Sequence, residues 1–203
     1  ENRGDKFVDV SDKLPKREQH TMGSAILDNN NDGYQDIVLV MRGEMVVANQ
    51  SPVLINQQGQ VFEMVSGHGI VSPELGAIGM GAQAVDYNMD GKMDLVQGNE
   101  RGKWHLFKNQ LPAQAIGDFI KVQVNDSPTA KTSPLGALVA VTACDIKQTQ
   151  RLGATAAQYS LSYDKNVHFG LGNCGKAITI SVTWSNGEEL QKVVQTHVND
   201  KNR

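Results

Sequence analysis

The chain has 203 residues, 39% of them apolar, and a formal net charge of −3, so it can bury one or two modest cores and projects no strong field of either sign. That balance excludes the basic surface nucleic acid requires, and no apolar stretch approaches membrane-spanning length, so membrane insertion is not expected. The five His residues are scattered with no Cys or His neighbour at ligand spacing, so no zinc site is expected.

In chain order, Gly4-Asp5-Lys6-Phe7-Val8-Asp9-Val10-Ser11 reads as the first strand, over Lys6 to Val10. Arg3-Gly4-Asp5, just before it, matches an integrin-recognition tripeptide, a pattern short enough to arise by chance. Next comes a short apolar segment, Met22-Gly23-Ser24-Ala25-Ile26-Leu27, then the acidic loop Asp28-Asn29-Asn30-Asn31-Asp32-Gly33-Tyr34-Gln35-Asp36, then Ile37-Val38-Leu39-Val40. The same order returns 58 residues later as Met80-Gly81-Ala82-Gln83-Ala84-Val85, Asp86-Tyr87-Asn88-Met89-Asp90-Gly91-Lys92-Met93-Asp94 and Leu95-Val96. Flanks of strand length mean that each loop joins neighbouring strands of a hairpin.

Three carboxylates and an amide within nine residues repel one another unless a hard cation sits among them, and oxygen-only ligation favours calcium. Positions 1, 3, 5 and 9 carry oxygen side chains, position 6 is Gly for a sharp turn, and position 7 offers its backbone carbonyl. The expected ligands are Asp28, Asn30, Asp32, Asp36 and the Tyr34 carbonyl at one Ca2+, and Asp86, Asn88, Asp90, Asp94 and the Lys92 carbonyl at a second. An EF-hand would carry Glu at position 12, where this chain has Leu39 and Gln97. The alternative is a pair of Asx-rich turns that only solvate their hairpins; recurrence of the same ligand positions favours ligation.

A repeat of this length built from short strands points to propeller blades. Its weaker parts agree: Pro52-Val53-Leu54-Ile55-Asn56 is echoed by His105-Leu106-Phe107-Lys108-Asn109, and Gly59-Gln60-Val61-Phe62-Glu63-Met64-Val65-Ser66 is echoed upstream by residues 4–11. Residues 6–10 are therefore expected to be the last strand of a blade, while the second loop's blade ends near Asn109 without its own. Open sheet edges invite strand addition, so self-association or a protein partner is expected there.

From about Asp118 the pattern remains β. Phe119 to Val124 alternates, Ala137 to Ala143 is small and β-branched, and Ala177 to Trp184 has period two, which predicts a small antiparallel sandwich or barrel. Cys144 and Cys174 form either one bridge across that domain or two buried thiols. Trp184 alternates with apolar residues and reads as core; Trp104 is the better candidate for stacking on a glycan. Asn49-Gln50-Ser51 and Asn125-Asp126-Ser127 are glycosylation sequons, each followed by Pro.

The run from Ala25 through Asp36 to Ile37, with Val53-Leu54-Ile55-Asn56 and Phe62-Glu63-Met64-Val65, resembles the FG-GAP or VCBS repeat of integrin-like propellers. Leu135 to Val141, Asn166-Val167-His168-Phe169-Gly170-Leu171-Gly172 and Ile180 to Gly187 are similar to the ASPIC/UnbV domain, which follows such repeats in the cartilage acidic protein family and its bacterial relatives. The resemblance implies an all-β chain, with two calcium-binding repeats, an incomplete set of blades, over residues 1–112 and an ASPIC/UnbV-like domain over 113–203. Family members usually carry more repeats, so a fragment of a larger propeller is a further reading.

No Ser lies in a nucleophile elbow, and no Gly-rich loop precedes a helix to cradle phosphate. The carboxylates that might have served as acid and base are assigned to the loops, so a non-catalytic protein is expected. Loops of this kind hold calcium at about 10⁻⁴ to 10⁻³ M, a level found outside the cytosol, so an extracellular, cell-surface or periplasmic location is expected. The expected role is adhesion, surface or matrix assembly, or scaffolding; the competing role is a lectin-like binding module.

Overall fold

A computed structural model describes residues 1–16, 20–42, 49–74, 76–153 and 166–195. Among these the chain is all-β, with helix confined to single 3-10 turns at Ser11–Lys13 and Ala113–Ala115. By its contacts the chain divides into two units: Glu1–Asn29 with Tyr34–Asn109, and Asn30–Gly33 with the described residues from Gln110 onward.

The first unit holds two blade-like sheets. One is formed by β1 (Thr21–Leu27), β2 (Asp36–Met41), β4 (Val53–Gln57) and β5 (Val61–Val65), hydrogen-bonded in the order β1-β2-β4-β5. A two-rung ribbon pairs β3 (Asn49–Gln50) with β6 (Val71–Ser72). The other sheet has three strands, β7 (Gly79–Val85), β8 (Asp94–Asn99) and β9 (His105–Phe107), all antiparallel. The innermost strands, β1 and β7, are rich in Gly and Ala because the sheets approach closely there: a Cβ added to Gly23 would stand 3.0 Å from the Met80 carbonyl oxygen. Leu27, Val38, Val40, Val53, Ala82 and Leu95 fill the space between the sheets. Beneath them Gln97, wholly buried, accepts from Ser51 Oγ at 2.7 Å and donates to Ser72 Oγ at 3.1 Å and Asn99 Oδ1 at 3.3 Å.

The strand expected over Lys6 to Val10 belongs to neither sheet. Val8 donates to the Glu1 carbonyl and accepts from the Glu1 amino group, both at 2.8 Å, and Asn2 bridges Phe7. The segment turns back on Glu1–Arg3 through Gly4, whose φ is 93°. Among the described residues no sheet edge lies alongside to take up its backbone groups, and the bonds it makes are local; Phe7 is left 85% exposed.

The second unit is a sandwich with no closed barrel among the described residues. One sheet has the order β12 (Ile146–Arg151), β11 (Leu138–Ala143), β14 (Ile178–Thr183), β15 (Glu189–Val194); the other pairs β10 (Asp118–Gln123) with β13 (Asn166–Gly172). Their inner faces enclose Val122, Val139, Val141, Phe169, Leu171, Ile178, Val182 and Trp184. Side chains bridge where a main-chain ladder is lacking: Gln148 and Gln150 donate from β12 to the Gly170 and His168 carbonyls, each at 2.6 Å. Trp184 is core, as the alternation predicts, with its indole N–H on the Asn125 carbonyl at 2.9 Å.

Cys144 and Cys174 are bonded. Cys144 and Asp145 form the two-residue loop between β11 and β12, with φ of 45° and 73°. Both central residues of a type I′ hairpin turn need positive φ, and neither is Gly here.

Candidate metal centre

The two acidic loops close at the same rung of their hairpins, Leu27 opposite Asp36 and Val85 opposite Asp94. Their backbones repeat as well. Position 4 is left-handed in both, with φ of 57° at Asn31 and at Met89, and position 6 is Gly at 91° and 83°. Asn accepts that conformation readily, whereas Met does so against a penalty of about 1–2 kcal/mol. The shape is imposed by the loop rather than chosen by the residue.

The Asp at position 9 is buried in both copies and clasps the next strand. Asp36 Oδ1 accepts the Asn56 N–H at 2.8 Å, and Asp94 Oδ1 accepts the Asn109 N–H at 2.7 Å. Each Asn returns its side chain to its loop, Asn56 Nδ2 to the Gln35 carbonyl at 3.0 Å and Asn109 Nδ2 to the Met93 carbonyl at 3.3 Å, but Asn109 Nδ2 also donates, at 2.8 Å, to the Asn29 carbonyl of the first loop. Sequence reasoning passed over this pair of asparagines as partners of the loop. The signal was there, since Asn56 and Asn109 end the two echoed strand segments.

The remaining oxygens differ between copies. Asp36 Oδ2 accepts the Asn29 N–H at 2.9 Å, whereas at the buried Asp94 Oδ2 the equivalent Tyr87 N–H falls short of full hydrogen-bond geometry while still acting on the carboxylate. Burial lifts the Asp94 carboxyl above its ordinary range; the Asn109 and Tyr87 N–H groups oppose that rise, and the neighbouring Asp90 and Asp86 charges add to it. Asp86 accepts from the Asp90 N–H at 3.1 Å and from the Gly91 N–H at 2.8 Å. Asn88 Nδ2 donates to Asp90 Oδ2 at 2.9 Å, and the Lys92 N–H donates to Asp90 Oδ1 at 3.0 Å. Burial works to raise the Asp90 carboxyl, but Asn88, the Lys92 N–H and the Lys108 and Lys92 ammonium groups outweigh it and hold Asp90 below its ordinary range.

In the first loop Asp28 and Asp36 are buried with the first unit, while the tip, Asn30–Gly33, groups with the second. Asn30 Nδ2 donates to Asp32 Oδ2 at 3.1 Å, and the Asn30 and Asn31 carbonyls accept the Gly117 and Gly172 N–H groups at 2.8 and 2.7 Å. Tyr34 and Lys92, named for their carbonyls, are half-buried.

Among the described residues, no three His, Cys, Asp or Glu side chains already stand as a metal cluster. In both loops the carboxylates instead take loop N–H donors, as Asx turns do. The donor chemistry nevertheless fits a hard cation: every candidate is an oxygen, and in the second loop the buried Asp94 carboxylate lies among the charges of Asp86 and Asp90.

Elsewhere, Trp104 is 74% exposed and lies against Gly98, 3.6 Å from where a Cβ would stand. His105 and Glu74 meet at 2.9 Å. In the Arg3-Gly4-Asp5 tripeptide, the Arg3 guanidinium is held by Glu1 at 3.1 Å. The sequon serines, Ser51 and Ser127, are fully buried.

Compared with protein-family models, residues 28–97 match the FG-GAP-like repeat and residues 127–201 match ASPIC and UnbV. The order is that of the resemblance read from the residues. No curated protein matches the chain.

Proposed function

We propose, from the premise that this chain joins FG-GAP-like repeats to an ASPIC and UnbV module, that it is a non-catalytic, calcium-stiffened β module for adhesion, surface assembly or scaffolding outside the cytosol. The observation that carries the reading is the second acidic loop, where the buried Asp94 carboxylate stands beside Asp86 and Asp90, whose charges add to the rise that burial imposes on it. A divalent ion there supplies the missing positive charge. Asp86, Asn88, Asp90, Asp94 and the Lys92 carbonyl would hold it, with Asp28, Asn30, Asp32, Asp36 and the Tyr34 carbonyl as the counterpart set. The ion's role is structural: it offsets repulsion among carboxylates and fixes the hairpin ends, leaving blade edges and faces rigid enough to receive a partner.

FG-GAP-like repeats are typical of extracellular or surface proteins, and among the described residues no helix is long and apolar enough to cross a membrane. The Cys144–Cys174 bridge supports an oxidising compartment. Affinity of about 10⁻⁴ to 10⁻³ M would keep such loops filled there.

Calorimetric titration of the chelator-treated chain tests the reading. The expected result is two calcium ions per chain, with Asp86→Asn combined with Asp90→Asn leaving one. At tenfold excess over Kd each site should raise unfolding free energy by about 1.4 kcal/mol. Absence of any heat and of any rise in Tm at about 10 mM calcium, a concentration well above the expected Kd, would overturn it.

A second reading rests on Trp104, whose exposed indole offers an apolar platform to a sugar ring. A glycan array separates the two: binding that Trp104→Ala abolishes supports a lectin-like module, and an array without signal removes it.

A further inference from the structure

We propose that the open edge of β9 receives residues 6–10 of a second copy of this chain, as the missing fourth strand of the second blade. This deepens the assembly reading above and rests on it. The first blade ends with β5 alongside β4, whereas the second stops at β9, which among the described residues pairs only with β8. Residues that match β5 exist elsewhere in the chain: Lys6-Phe7-Val8-Asp9-Val10 echoes Val61-Phe62-Glu63-Met64-Val65.

The duplicated clasp fixes the register. Asn56 and Asn109 are equivalent through their bonds to Asp36 and Asp94, and Leu54 opposite Ile37 matches Phe107 opposite Leu95. Carrying the rungs Leu54–Met64, Ile55–Glu63 and Asn56–Phe62 across places Phe107 opposite Asp9, Lys108 opposite Val8 and Asn109 opposite Phe7. Leu106, 50% exposed, then faces Val10, and Phe7 gains the cover that leaves its equivalent Phe62 half-buried.

The backbone groups agree. The Asn56 N–H turns toward β2, so by alternation along an antiparallel strand Ile55 presents its own N–H and C=O to β5. By equivalence Lys108 presents its pair outward, toward Val8. Among the described residues those groups of Val8 are held in the single chain by Glu1, through the two 2.8 Å bonds of the terminal turn. Exchange trades these two exposed bonds for two on β9 and extends the pairing along the strand. The donor segment precedes one chain's first blade and the acceptor ends another's second, so the contact runs head to tail.

The test uses the full chain in calcium. Light scattering of the unmodified protein should give a mass above the 22.1 kDa of one chain, rising with concentration. Val8→Cys with Lys108→Cys should form interchain disulfides on oxidation, seen on a non-reducing gel. Val8→Cys with Leu106→Cys, two residues out of register, should not, because diagonal neighbours stand about 7–8 Å apart, beyond disulfide reach. Melting curves of both variants confirm that these surface substitutions leave the fold intact. A single-chain mass at every concentration, an 8–108 bond formed within one chain, or equal cross-linking of the two pairs would each overturn the proposal. Calcium binding is read separately by titration, so loops that bind calcium in a chain that never cross-links leave the calcium reading standing without strand exchange.

Discussion

Removing the disulfide by Cys144→Ala with Cys174→Ala isolates one contribution to the sandwich. The two residues lie 30 apart in sequence, and closing a loop of that length removes chain entropy equivalent to about 3.6 kcal/mol at room temperature. A second quantity hides in the same pair. Cys144 sits at φ 45°, where a residue other than Gly is strained; Asn tolerates that region better than Ala. Cys144→Asn with Cys174→Ala should therefore recover about 0.5–1 kcal/mol of what the alanine pair loses. The assay is urea unfolding followed by tryptophan fluorescence. Trp184 is buried in the sandwich while Trp104 is exposed, so the emission change reports chiefly on the sandwich. A loss below about 1 kcal/mol in the alanine pair would refute the entropic reasoning, and an asparagine pair no better than alanine would refute the claim of strain at the turn.

Three further outcomes are expected. Glu188 accepts the Thr129 and Ala130 N–H groups, which hold its carboxyl down to about 2 from an ordinary 4.5; a depressed carboxylate contributes stability above its unfolded value and loses it as pH falls. The Tm advantage of the parent chain over Glu188→Gln should then be full at neutral pH, decline below pH 4.5 and vanish near pH 2. Gly117→Ala would drive a Cβ into the Asn31 carbonyl oxygen and to 2.7 Å from Gly172 Cα, and should lower unfolding free energy by roughly 1–3 kcal/mol in the same urea assay. Gln97→Leu leaves Ser51, Ser72 and Asn99 short of a shared partner in a buried site; a loss of about 2–3 kcal/mol by thermal melting is expected, and a neutral result would mean that the serines re-pair among themselves.

Much of the fold was legible because period-two runs and repeated turns are local signals. The hairpins β1–β2 and β7–β8, the strands β4 and β9 and the early end of the second blade all follow from residues near one another in sequence. The strand expected over Lys6 to Val10 was not obtained, because strand formation depends on a neighbouring edge and no sequence pattern supplies one. The β3–β6 ribbon and the Gln97 network escaped notice for a related reason: polar residues meeting from distant segments carry no periodicity. The loops' oxygen chemistry could be read residue by residue, whereas the Asp–Asn clasp needed the return of a distant strand to become visible.

The carboxylate half of that clasp is contained within a single sheet, where the acidic hairpin end grips the strand that follows it, while the Asn109 side chain also fastens the second blade to the Asn29 carbonyl of the first. A gene segment encoding one such unit can therefore be copied in tandem without inventing new fastening residues, since each duplicate arrives with its own latch. Chains with many blades or few become accessible by duplication and loss, and what must evolve afresh at each joint is the fit of one small-residue inner strand against the next and the reach of an Asn such as Asn109 to the neighbouring loop.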